Sequence, residues 1–200
     1  MTPVLYSFRR CPFAMRARLA LAYAGLEVEH REILLRDKPA VMLSASPKGT
    51  VPVLVLEDRV LEESRDVMVW ALERSDPKGL LLMSQKDWAL VDEIDGPFKA
   101  ALDRTKYHTR YGSDPRVERL KAQPTLDKLS ARLSAHRFLS ADAPRATDIA
   151  IFPFVRQFAN IDKAQFQATT STALQTWLEH WLESDVFAKI MVKHPIWQPA

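Results

Sequence analysis

The sequence predicts an α/β domain followed by an all-helical one. Three observations carry this reading. Strand and helix signals alternate through residues 4–74. The run Ser75-Asp76-Pro77-Lys78-Gly79 then breaks the pattern. Beyond it only helical spacing recurs.

The elements follow in order. Val4 to Phe8 is a short apolar run, read as a first strand. Pro12 to Ala24 places Phe13, Ala17, Ala20, Leu21 and Ala24 at helical spacing. Pro12 suits the first helical position, where a missing N–H costs nothing, and Gly25 suits the stop. Val28 to Leu34 alternates imperfectly as a second strand, and Lys38 to Ala45 reads as a short helix closed by Ser46-Pro47-Lys48-Gly49. Val53 to Leu56 is rich in β-branched residues. Glu57-Asp58-Arg59 turns it into Val60-Leu61. Ser64 to Arg74 resumes helical spacing, so the first domain runs β-α-β-α-β-β-α. The expected boundaries are 1–75 for this domain, 76–84 for a linker and 85–200 for the helices. In that last part Asp87 to Tyr111, Pro115 to Ala135, Asp148 to Asn160 and Ala173 to Leu182 read as helices. A shorter one is expected near Val186 to Val192.

Composition narrows the function classes. An apolar fraction of 47% with 26% charged residues is ordinary for a globular protein. No stretch approaches the ~18 apolar residues of a membrane span. The N-terminus shows no basic region leading into a hydrophobic run, so no membrane and no secretion are expected. The net charge of +3 is mild, and its basic residues are interleaved with acids, which argues against a nucleic-acid surface. A single cysteine rules out an internal disulfide and a Cys-rich zinc site, and fits a reduced, cytoplasmic setting. The five histidines, at 30, 108, 136, 180 and 194, are too dispersed to suggest a metal. Trp177 and Trp181, which flank His180, read as a core pair.

That cysteine is the most informative residue. Cys11 lies in Arg9-Arg10-Cys11-Pro12-Phe13-Ala14-Met15-Arg16, at the expected turn from the first strand into the first helix. There it faces unpaired backbone N–H groups and the positive end of the helix dipole, with Arg9, Arg10 and Arg16 adding charge. A thiolate is stabilised in such surroundings. A low-pKa thiolate is also a good leaving group when a second thiol attacks its mixed disulfide. Ala14 stands where a Cys-x-x-Cys pair would carry its second sulfur, so an internal resolving thiol is excluded.

This order of elements, with Cys-Pro-Phe after the first strand, resembles the glutathione S-transferase superfamily over essentially the whole chain. Thr50-Val51-Pro52-Val53 looks like that superfamily's cis-proline turn, and Glu63-Ser64 like its acidic-hydroxyl pair for the γ-glutamyl end of glutathione. Arg145-Ala146-Thr147-Asp148-Ile149-Ala150 resembles its capping box, although Arg145 replaces the Ser or Thr of the cap and leaves only the return half from Asp148. Lys38-Pro39 resembles the cysteine-type classes, omega and dehydroascorbate-reductase-like.

The resemblance implies a thioredoxin-like first domain and a helical bundle. It implies glutathione as cosubstrate with no metal, and a homodimer. It places Cys11 as nucleophile and Phe13, Lys38, Val51, Pro52, Glu63 and Ser64 around glutathione. In this scheme Glu63 takes the ammonium, Ser64 and its helix start take the γ-glutamyl carboxylate, and Lys38 takes the glycyl carboxylate. Val51 pairs with the cysteinyl backbone as an added strand would. Tyr107, His108 and Tyr111 are candidates for the wall of a small electrophilic or disulfide second substrate. Tyr6 resembles in position a catalytic tyrosine of other classes, but its apolar strand most simply buries it. The implied activity is thiol–disulfide exchange or reductive deglutathionylation. Conjugation of glutathione to electrophiles stays open as one alternative, and a non-catalytic interaction protein that keeps the fold as another.

Overall fold

The computed structural model describes residues 2–199, which fall into two compact units. The first comprises residues up to Leu81 together with Ser184 onward, and the second spans Leu82–Glu183.

The first unit is built on a four-stranded sheet of order β2-β1-β3-β4. Its strands are β1 (Val4–Ser7), β2 (Glu29–Glu32), β3 (Val53–Val55) and β4 (Val60–Leu61). β1 and β2 are parallel, with Val4 opposite Glu29, because α1 (Pro12–Ala24) crosses over between them. β3 runs antiparallel to both β1 and β4. α2 (Ala40–Ala45) and α3 (Ser64–Arg74) complete the expected order, and α3 packs on α1.

α1 starts and stops for local reasons. Pro12 occupies its first turn, and Gly25 ends it in the left-handed conformation at φ 67°. The Leu26 N–H bonds the Leu21 carbonyl and closes the last turn. Its inner face is fully buried through Ala14, Met15, Ala17, Leu19 and Ala20. One core cluster joins Tyr6, Ala14, Ile33, Met42, Val51 and Val53, with Cys11 at its margin.

The C-terminal segment departs from expectation. Residues 184–200 were expected to end the helical domain, but α11 (Asp185–Ile190) packs on α1 within the first unit. The chain then lies beside β2. The Trp197 N–H donates to the Glu32 carbonyl at 2.8 Å, and Glu32 bridges Ile196 in parallel. The Arg31 guanidinium lies 4.3 Å from the Trp197 ring centre and 5.3 Å from that of Tyr6. These ring contacts and the backbone bridge hold the segment against the first unit.

The second unit holds α4 (Gln85–Glu93), α5 (Lys99–Lys106), α6 (His108–Tyr111), α7 (Pro115–Ala135), α8 (Ala146–Ala159), α9 (Lys163–Thr169) and α10 (Thr172–Leu182). The single helix expected over Asp87 to Tyr111 is therefore divided. A π-helical turn, Ile94–Phe98, absorbs Gly96-Pro97, whose proline has no N–H to donate. A second break falls at Tyr107, with φ −113° and ψ 37°. The core of this unit packs Phe152 against Trp181 with ring centres 5.7 Å apart and Phe98 against Phe158 at 5.3 Å, both pairs tilted. Trp177 and Trp181 are buried there, as their spacing predicts. Asp148 is fully buried and returns a hydrogen bond to the Arg145 N–H at 2.9 Å, so the half-box forms.

Candidate active site

Cys11 is the N-cap residue of α1, at φ −73° and ψ 124°, half-buried at the strand-to-helix turn. Its N–H donates to the Phe8 carbonyl at 3.0 Å, and its own carbonyl accepts from Met15 at 2.9 Å, the first turn of the helix. The Sγ–H group points at the Val51 carbonyl, 3.7 Å away. Val51 precedes Pro52 through a cis peptide bond. Two segments distant in sequence, the Cys-Pro turn and the cis-Pro turn, thus meet at the sulfur.

Beside this meeting point opens a cavity of about 220 Å³, lined among others by Phe13, Val51, Pro52, Glu63 and Ser64. Five of the expected glutathione-binding residues therefore share one hollow. Lys38 is not among its lining residues. Its Nζ lies beside Gly49, 3.4 Å from where a Cβ would sit on that glycine. Gly49 has φ +63°, so a side chain there would meet both backbone strain and the Leu43 side chain. Lys48 lines the cavity and pairs with the Glu63 carboxylate. Its position in a Pro-Lys-Gly turn gave no hint of this role.

Ser64 opens α3 and is buried, and its hydroxyl accepts from Arg16 Nη1 at 3.1 Å. Arg16 is fully buried and lies 5.7 Å from the Phe13 ring centre. Its guanidinium and the start of α3 together make the floor beneath Ser64 electropositive. Of the three arginines expected around Cys11, Arg16 thus bonds Ser64.

The arginine tied to the Cys11 turn is Arg18, which the motif reading passed over. It is buried, and its Nη1 donates to the Ser7 hydroxyl at 2.5 Å and to the Phe8 carbonyl at 3.4 Å. Its Nη2 donates to the Arg9 carbonyl at 2.7 Å, and its Nε to the Ile190 carbonyl at 3.1 Å. Burial lowers its pKa to about 10, against the opposing pull of Glu32 and Cys11. Glu32 faces it from the end of β2, taking the Arg9 N–H at 2.7 Å and the His30 ring at 3.1 Å. Burial alone would raise the Glu32 carboxyl. The bonds from His30 and Arg9, with the Arg18 charge, hold it below its ordinary value.

Tyr6 is buried, and its hydroxyl accepts from Arg31 Nη1 at 2.7 Å, in line with a structural role. Tyr107, His108 and Tyr111 lie exposed around α6 of the second unit. Among the described residues no group of three or more His, Cys, Asp or Glu is arranged to hold a metal ion. Among the described residues no helix is long and apolar enough to cross a membrane.

Two family models match the chain: the glutathione S-transferase N-terminal domain over residues 5–79, and the C-terminal domain over residues 114–180. The chain is 27% identical over 168 residues to glutathione S-transferase U22 of Arabidopsis thaliana, covering 80% of this chain and 75% of that protein. It is 29% identical over 145 residues to glutathione S-transferase DHAR2 of the same plant, covering 72% of this chain and 64% of that one. A glutathione transferase family member from Pseudomonas fluorescens, solved with two glutathione molecules bound, superposes with a TM-score of 0.81 at 15% identity. That match covers 95% of this chain and 92% of the other.

Proposed function

Because the chain belongs to the glutathione S-transferase superfamily, we propose that it is a cysteine-type member, a glutathione-dependent thiol transferase. The observation that carries this reading is the placement of Cys11. The only cysteine of the chain caps α1 and points its Sγ–H at the carbonyl of Val51, 3.7 Å away, and Val51 lines the cavity. Transferases that conjugate glutathione to electrophiles need a group that donates to the glutathione thiolate. A hydroxyl suits that task better than a thiol, which gives up its own proton.

The proposed cycle has two exchanges. The Cys11 thiolate attacks the glutathionyl sulfur of a mixed disulfide. A new S–S bond joins Cys11 to glutathione, and the substrate leaves as a thiolate. A second glutathione thiolate then attacks the glutathione sulfur of that adduct, releasing oxidised glutathione and restoring Cys11. Ala14 leaves no internal sulfur to compete. Reduction of a small oxidised electrophile is a variant of the same cycle.

Glutathione is oriented by its charges. The electropositive start of α3, with Ser64 above Arg16, receives the γ-glutamyl carboxylate. Glu63 and its partner Lys48 offer a carboxylate to the ammonium and a cation to a carboxylate. We extend the proposal to a two-fold homodimer, the commonest closed assembly, working in the cytoplasm. Light scattering tests it against the chain mass of 22.8 kDa.

Intact-mass measurement after exposure to oxidised glutathione tests the mechanism. One glutathionyl unit should appear, persist until an external thiol is added, and be absent from Cys11→Ser. Full transfer activity in Cys11→Ser would overturn it.

A further inference from the structure

Arg18 and Glu32 clamp the segment that carries the nucleophile, and they do so from opposite sides of one residue. Glu32 Oε1 holds the Arg9 N–H at 2.7 Å while Arg18 Nη2 holds the Arg9 carbonyl at 2.7 Å. The Phe8 carbonyl is shared, accepting both the Cys11 N–H at 3.0 Å and Arg18 Nη1 at 3.4 Å. One atom therefore joins the cysteine backbone to the guanidinium.

We infer that Arg18 is a positioning residue for Cys11: it fixes the Phe8–Arg9 carbonyls that set the cysteine at the helix start, and it supplies the buried positive charge of that turn, which Glu32 partly neutralises. The inference rests on Cys11 as nucleophile in the reading above. The electrostatic pull between Cys11 and Arg18 agrees with it. A buried arginine near a thiol favours the thiolate, because the charges attract in surroundings poor in water. The C-terminal segment completes the clamp. The Ile190 carbonyl takes Arg18 Nε, and Trp197 binds the Glu32 carbonyl. The fork geometry explains why an arginine stands here. It serves the carbonyls of Phe8, Arg9 and Ile190 and the Ser7 hydroxyl at once, which a lysine ammonium cannot do.

The charged groups facing this clamp are Arg9 from the turn, Glu27 from the segment before β2, Glu32 and His30 from β2, and Lys189 and His194 from the C-terminal segment. His30 and His194 are stacked with ring centres 4.1 Å apart. Burial and the His30 charge hold His194 below its ordinary pKa.

The test is the pH dependence of Cys11 alkylation by iodoacetamide, which needs no glutathione. Arg18→Gln should raise the midpoint by about one pH unit, a tenfold loss of rate below it. Glu32→Gln keeps an acceptor for the Arg9 N–H and removes the opposing charge, so the midpoint should fall. Arg18→Lys keeps the charge and loses the fork, so its midpoint should stay within about 0.3 unit of wild type while the rate of transfer drops. Both shifts should survive in a His194→Phe background, where the ring stays and its titration is gone. A purely structural role would move the first two variants in the same direction. That outcome, or an unchanged midpoint in both, overturns the inference. If Arg18→Gln does not fold, an unmoved or raised midpoint in Glu32→Gln does so alone. Failure of oxidised glutathione to modify Cys11, with these midpoint shifts intact, would instead overturn the proposed function and leave the clamp standing.

Discussion

The deepest charge in the first unit is a cation, Arg16, and the deepest in the second is a carboxylate, Asp148; both are fully buried. Arg16 and its neighbour Arg18 spend their donors on hydroxyls and on carbonyls of loops and helix ends. Asp148 spends its acceptors on the Leu139 N–H at 3.0 Å, the Arg145 N–H at 2.9 Å and Trp177 Nε1 at 2.8 Å. The contrast separates a site from a scaffold. Buried cations leave positive potential where an anion, a thiolate or a carboxylate, is wanted. A buried carboxylate ties three pieces of chain together and faces nothing that needs to react.

The largest effect expected from this contrast is chemical. Cys11→Ser should lower thiol-transfer activity by about 10³-fold or more while leaving the thermal midpoint near wild type. An equal loss of activity and of stability would erase the distinction between the units.

Next comes the scaffold. Asp148→Ala strands two buried donors, Leu139 N–H and Trp177 Nε1, at about 1–3 kcal/mol each, so urea denaturation should show a loss of about 2–6 kcal/mol with activity per folded molecule unchanged. The pH dependence sharpens this. Burial raises the Asp148 pKa to about 6, against its three hydrogen bonds. The folded state therefore binds this proton more tightly than the unfolded chain. Its contribution is fully present below about pH 4 and is lost as the pH rises to about 6, a change of about 3 kcal/mol. Asp148→Asn should remove that slope.

Asp87 has the opposite sign. Burial alone would raise it, but Ser84, Ser140 and Arg132 outweigh that and hold it at about 2. Its contribution of about 2 kcal/mol is present above about pH 4 and lost as the pH falls through 2. Asp87→Asn should flatten the acid limb of the stability curve, and an unchanged limb would refute the assignment.

The smallest effects concern ligand placement. Ser64→Ala should weaken glutathione binding by about 1.5 kcal/mol, since it removes a buried hydroxyl beneath a carboxylate. Glu63→Ala should cost about 1 kcal/mol or less, because that side chain is 57% exposed. Unchanged calorimetric affinity in both would move the γ-glutamyl end elsewhere.

The parts of the molecule legible in the sequence are those whose causes are local. Pro12 and Gly25 mark the ends of α1 because φ restriction and φ freedom act within a residue or two. Pro115 to Ala135 and Ser64 to Arg74 are helices at the predicted bounds. Asp148 bonds the Arg145 N–H because the two lie one turn apart. α9 passed unread, although Asp162 and Gln165 carry its cap signal, and the structure shows Asp162 taking the Gln165 N–H.

From the sequence alone came the two-part fold, the cysteine at a helix start and the absence of a second sulfur beside it, since each is a matter of residue identity and short spacing. Tertiary structure decided the rest. Lys48 lines the cavity, because the turn around Gly49 brings it to Glu63. Residues 184–199 pack with the first unit because edge strand β2 had unpaired backbone groups and Arg31 offered Trp197 a cation. Arg18, not Arg16, holds the Cys11 turn, because one partner, the Ile190 carbonyl, is 172 residues away along the chain. Contacts of that span depend on how elements pack, and no local propensity encodes them.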